Sequence, residues 1–262
     1  MQENQSYLER VRIHEGNTRC MEFFEQACVQ SQRRAAAMIN DEDLTFPTLY
    51  LLYSSIRPRQ LFLNLNQRNQ QMIHILTELK KDKTGNGKVS ILAKKQLITH
   101  SNLKWAVKTG YQFDGNTNYD FAIDTFICVL LITYRDKEML PYAEHLIFAR
   151  HRDGKGIHDL VWAYFHHRDI RVLKQMAEHL QSNDSREAEL AAKLLDTGRI
   201  CRGCENAQSG YTTYLKWLEE NEPYLFFTGE NMFFSRRPTI CKVDQERKYR
   251  QRNVRAGTEE PE

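Results

Sequence analysis

The residues best suited to chemistry by type and spacing are Cys201-Arg-Gly-Cys204. Two thiols at this spacing can hold one zinc ion from a tight turn, or cycle between dithiol and disulfide. Zinc needs two further ligands, and Cys128, His179 and Cys241 all lie far away in sequence. A redox pair of the thioredoxin kind needs a strand–helix–strand setting, which this helical sequence does not offer. Zinc at Cys201 and Cys204 is therefore one expectation. A small turn with incidental cysteines is the plainer one.

Asp82-Lys-Thr-Gly-Asn-Gly-Lys-Val-Ser-Ile-Leu-Ala93 resembles the calcium loop of EF-hand proteins, with Asp82, Asn86, Gly87 and Ser90 at matching positions. The last position is Ala93, where that loop needs a carboxylate that gives the ion two oxygens. Lys80, Lys81, Lys83 and Lys88 would repel a dication, so the residues argue against calcium. A Gly-Asn-Gly turn between helices accounts for the segment. It is no phosphate-binding loop either, because the GxxxxGK[ST] spacing is absent.

Four of the nine histidines fall between Arg150 and Asp169, at His151, His158, His166 and His167. Helix 157–166 would hold the two groups about 15 Å apart, at a rise of about 1.5 Å per residue, too far for one metal ion. His158 and Asp159 suit a helix start, and His166 and His167 a helix end. His167-Arg-Asp169 lacks the asparagine and the glycine-rich loop that a kinase requires. An enzyme with a Cys/His site is the third-ranked expectation, because no spacing singles out a catalytic pair.

Charge is unevenly distributed. From Arg57 to Lys108 eleven basic residues face only Glu78 and Asp82, and from Arg236 to Arg255 eight face only Asp244 and Glu246. Such blocks suit anionic partners, nucleic acid among them. The residues that would carry this contact are Arg57, Arg59, Lys94 and Lys95, then Arg236, Arg237, Arg247, Lys248 and Arg250. Tyr249 stands among the last group and can stack on a base. No RNP motif, zinc finger or helix-turn-helix accompanies them. A solvated helix face and a floppy tail explain the same charges.

These side chains stand on a chain of 262 residues with 41% hydrophobic and 27% charged residues. Those values exclude collagen, wholesale disorder and a multi-span membrane protein. The longest apolar run, Phe126 to Thr133, is far short of the ~20 residues of a membrane span. The first ten residues are polar, so six scattered cysteines are expected to be reduced thiols in a cytoplasmic protein.

Apolar residues recur at helical spacing almost throughout. The spacing predicts helices over 5–14, 18–39, 49–56, 59–81 and 89–109, with Met21, Phe24 and Cys28 inward on the second. Gly and Asn clusters break the chain at 84–87 and 114–118. Five helices of 10 to 18 residues then follow between 119 and 196, joined by short turns. An amphipathic helix at 209–220 precedes an aromatic stretch, Tyr224 to Phe234, expected to lie as an extended strap. A two-stranded hairpin, or an exposed aromatic docking site, is its sharper alternative.

Residues 169–195 resemble one HEAT-type repeat. Leu173, Met176, Ala177 and Leu180 would form one buried face, and Ala188, Ala191, Ala192 and Leu195 the other. Asp184 stands in the turn between them and Arg186 early in the second helix. The resemblance extends in outline over 119–196. It implies a scaffold with a concave binding face.

The fold expected is all-α, organised as an N-terminal helical bundle (1–112), a HEAT-like helical array (119–220), and an aromatic strap with a basic, partly disordered tail (221–262). The function expected is a non-enzymatic interaction or scaffold protein with a protein partner. Nucleic-acid binding through the 57–108 and 236–255 blocks is the alternative.

Overall fold

The structure, a computed structural model, describes residues 5–57, 60–81, 97–111, 118–200, 207–230 and 239–256. The fold is all-α apart from one two-stranded sheet among these residues. The chain divides into two compact units, 1–142 and 143–262.

The first unit begins with α1 (Tyr7–Glu15) and α2 (Asn17–Gln30). Ser6 caps α1 by accepting a hydrogen bond from the Glu9 amide at 3.2 Å. The helix predicted over 18–39 is two helices, because Ser31 breaks it. Ser31 is extended (φ −163°), and its side chain caps α3 (Gln32–Ile39) by accepting from the Arg34 amide. A serine hydroxyl competes with helical hydrogen bonding in this way. The buried face of α2 is Cys20, Phe24, Ala27 and Cys28. Met21 lies about 100° off that stripe and is exposed, contrary to expectation.

Helix α4 (Phe46–Ile56) carries Pro47 in its first turn, where a missing N–H costs nothing. The helix predicted over 59–81 is also divided. A 3-10 turn (Gln60–Asn64) precedes α5 (Gln67–Lys81). Asn66 accepts from the Asn69 amide and starts α5, while Asn40 bridges Asn64 O and the Asn66 amide. Helix α6 (Leu97–Gly110) packs on α4 and on α7 (Asp120–Ile132). Gly110 allows the closest approach: a Cβ there would lie 2.9 Å from Ile123 and 3.0 Å from Phe46, both fully buried.

Helix α8 (Leu140–Arg152) carries the division between the units. The second unit continues with α9 (His158–His166), α10 (Arg171–Glu178) with a 3-10 turn (His179–Gln181), and α11 (Ser185–Leu194). Leu173, Met176, Ala177 and Leu180 are buried as expected. On α11 the buried face is Leu190, Ala191 and Leu194, extended by Leu195, while Ala188 and Ala192 are only half-buried. The longer leucines take the core positions and turn the helix away from the predicted face. Asp184 caps α11 through the Arg186 amide at 2.9 Å.

A short helix, α12 (Thr197–Ile200), and a long one, α13 (Ala207–Asn221), follow. Strand β1 (Leu225–Phe227) then pairs antiparallel with β2 (Cys241–Val243), Phe226 opposite Lys242. The first half of the aromatic stretch is thus one strand of a pair, and its partner comes from the basic segment. That segment ends in α14 (Gln245–Ala256), so a helix stands where the plainer alternative had a floppy tail. No described helix is long and apolar enough to cross a membrane.

Candidate functional site

Of the nine residues expected to meet an anionic partner, Arg59, Lys94, Lys95, Arg236 and Arg237 lie outside the described residues. Arg57 closes α4 and is exposed near Glu78. Among the described residues of its block, part of the remaining charge is compensated. Lys104 pairs with Asp136 at 3.0 Å and Glu138 at 2.8 Å, and Lys81 with Glu78 at 2.7 Å. Arg68 lies 4.4 Å over the Trp105 ring. The two basic blocks belong to different units.

The other three residues stand on α14. Lys248 donates to Asn221 Oδ1 at the end of α13 and lies 6.0 Å from the Tyr224 ring. It anchors the helix instead of facing a partner. Arg250 pairs with Glu246 one turn back along the same exposed face. Arg247 is exposed, and Tyr249 is 62% exposed. A basic helix with an outward tyrosine is therefore held in place by its own lysine.

Cys201 and Cys204 lie outside the described residues, as does the whole 82–93 loop. Cys241, the thiol weighed as a third zinc ligand, is on β2, and burial pushes it up to about 11. It is a protonated, inert thiol at neutral pH. Among the described residues no group of three or more His, Cys, Asp or Glu side chains is placed to hold a metal ion.

Cys241 faces a cavity of about 330 Å³ within the second unit. Leu173, Leu195, Tyr214, Trp217 and Ile240 supply apolar wall, and Asp196, Arg199 and Lys242 supply charge. Helices α10 to α13 and strand β2 all contribute. Lys242 reaches Glu230 at 3.1 Å. Asp196 and Arg199 form no ion pair with another described residue. Asp196 has a left-handed backbone (φ +52°) just past the end of α11.

One acid–base cluster among the described residues was not legible in the sequence. His179 Nε2 lies 2.9 Å from Glu144 Oε1, and its Nδ1 lies 3.5 Å from Glu187 Oε2. Tyr164, fully buried, reaches Glu144 at 3.4 Å, and burial drives its phenol far up. Arg152 closes on Glu187, and Ser182 donates to it at 2.8 Å. Helices α8, α9 and α11 and the 3-10 turn meet here. The only sequence signal was a half-polar stripe on each helix, which does not reveal who faces whom. Of the expected histidine cluster, His151 is held below its ordinary value by burial and by Lys193 and Arg186. His158 is exposed, and Ile157, with no side-chain cap, stands at the helix start.

No protein-family model, curated protein or solved structure matches the chain.

Proposed function

We propose that the chain is a helical interaction protein that works through a macromolecular surface, with a protein as its partner and the cytoplasm as its setting. One observation carries this reading. The residues best equipped for acid–base chemistry, His179, Glu144, Glu187 and Tyr164, face one another and join successive helices of the second unit. Such groups act there as seams of a helical stack. The resemblance of residues 169–195 to a HEAT-type repeat supports the reading, with Leu173, Met176, Ala177 and Leu180 buried as its first helix requires. Four described cysteines form no disulfide, as a reducing compartment allows.

A second reading, nucleic-acid binding, is favoured by α14, whose Arg247, Tyr249 and Arg250 lie outward on an anchored helix. Arginines neutralise phosphates and tyrosine stacks on bases. One experiment separates the two. The full chain is cross-linked in cell extract at physiological salt, with and without nuclease. Labelled single- and double-stranded DNA and RNA are titrated in parallel across a salt series. Partners that survive nuclease, with weak oligonucleotide binding, support the protein-interaction reading. Partners lost to nuclease, with affinity falling steeply in salt and weakened by Arg247→Ala/Arg250→Ala, overturn it in favour of the second.

A further inference from the structure

The cavity of the second unit fits a ligand that neither reading requires. Its volume, about 330 Å³, is within the ~300–1,000 Å³ range of small-molecule sites. Its lining is mixed, about as polar as apolar, with Asp196, Arg199, Lys242 and Gln245 beside the apolar side chains. Trp217 is half-buried, so a flat or branched apolar body would meet its indole, while Tyr214 is fully buried behind that wall.

The charged groups narrow the class. Lys242 is already engaged by Glu230, which leaves Arg199 and Asp196 as opposite charges facing the same cavity. A guanidinium offers a planar fork that matches a carboxylate. Asp196 attracts a cation, and it stands where the carbonyl end of α11 adds partial negative charge. A purely anionic ligand would face Asp196 unfavourably, and a purely cationic one Arg199. A molecule with both charges next to an apolar body satisfies each group.

We propose that this cavity binds a large hydrophobic α-amino acid, its carboxylate on Arg199, its ammonium on Asp196 and its side chain against Trp217. This goes beyond the interaction reading and does not depend on it.

L-Phenylalanine is the probe, titrated into the full chain by calorimetry and by tryptophan fluorescence. Phenethylamine and 3-phenylpropanoate, each with one charge removed, are the controls. The expected result is saturable binding of phenylalanine, at least tenfold tighter than either control. Arg199→Ala should weaken it at least tenfold, and so should Asp196→Asn. Asparagine is chosen because it tolerates the left-handed backbone at 196. Trp217→Phe should remove most of the fluorescence change while the heat remains. Thermal melting of each variant without ligand reports whether it is folded. Absence of saturable binding, equal affinity for a singly charged control, or full affinity in a folded Arg199→Ala variant would each overturn the proposal.

Discussion

His179 lies face to face with Phe148, their ring centroids 3.6 Å apart and their planes 19° from parallel. The imidazole edge meanwhile meets Glu144 and Glu187. One side chain thus joins an apolar stack to two carboxylates on different helices. His179→Leu keeps apolar bulk against Phe148 but leaves both carboxylates without the imidazole. The loss should be about 1–3 kcal/mol, the cost of partly buried polar groups left unmatched. Urea unfolding of the two proteins measures it, and an unchanged midpoint would show that the contact carries no stability.

The N-terminal unit holds a second polar seam. Arg12 donates to Glu9 Oε1 at 2.6 Å and through Nε to Thr48 at 3.0 Å, while Thr45 and Thr48 donate to Glu9 Oε2. The Arg12 and Glu9 side chains are 7% and 5% exposed, so removing one strands the other. Arg12→Ala is expected to cost about 3–5 kcal/mol. Glu9→Leu/Arg12→Leu should cost much less than the two single changes summed, and a double-mutant cycle in urea reads the difference.

Two glycines should respond with opposite signs. Gly110→Ala drives a methyl group against Ile123 and Phe46, which have no room to yield, and should cost about 1–3 kcal/mol. Gly210 lies within α13, and a Cβ there meets nothing within 4 Å. Gly210→Ala should stabilise by about 0.5–1 kcal/mol through helix propensity. Paired thermal melts check both signs.

Acid should weaken the first unit through Asp136. Burial raises this carboxyl, but hydrogen bonds from Lys104 and His100 outweigh burial and hold it below its ordinary value of 3.8. A depressed folded value favours the folded state above the ordinary value, and that stability is lost as pH falls through the depressed one. Lys104→Met should lower stability near neutrality and flatten its dependence on pH below about 4. Urea midpoints from pH 7 down to about pH 2.5 test this, and parallel curves for both proteins would refute it.

The helical class was legible because apolar spacing survives almost everywhere. Leu61, Leu65, Ile73, Leu76 and Leu79 are all buried as their spacing required. Helix ends were harder to read. Ser31 and Asn66 interrupt apparently continuous helices through side-chain hydrogen bonds, which periodicity does not weigh. The sites were least legible. The Glu144–His179–Glu187 cluster joins residues 35 and 8 positions apart in sequence, and the cavity draws on α10 through β2. Only packing brings such groups together. Basic residues were visible as blocks, yet the sequence did not separate Lys248, which anchors α14, from Arg247, which faces outward.

Strand β2 gives the cavity part of its wall and leads, one residue later, into the basic helix α14. Detaching α14 would pull on the same backbone that closes the cavity. An occupant of the cavity and a contact on the basic helix would thus bear on one stretch of backbone, and any coupling between them would run equally in both directions.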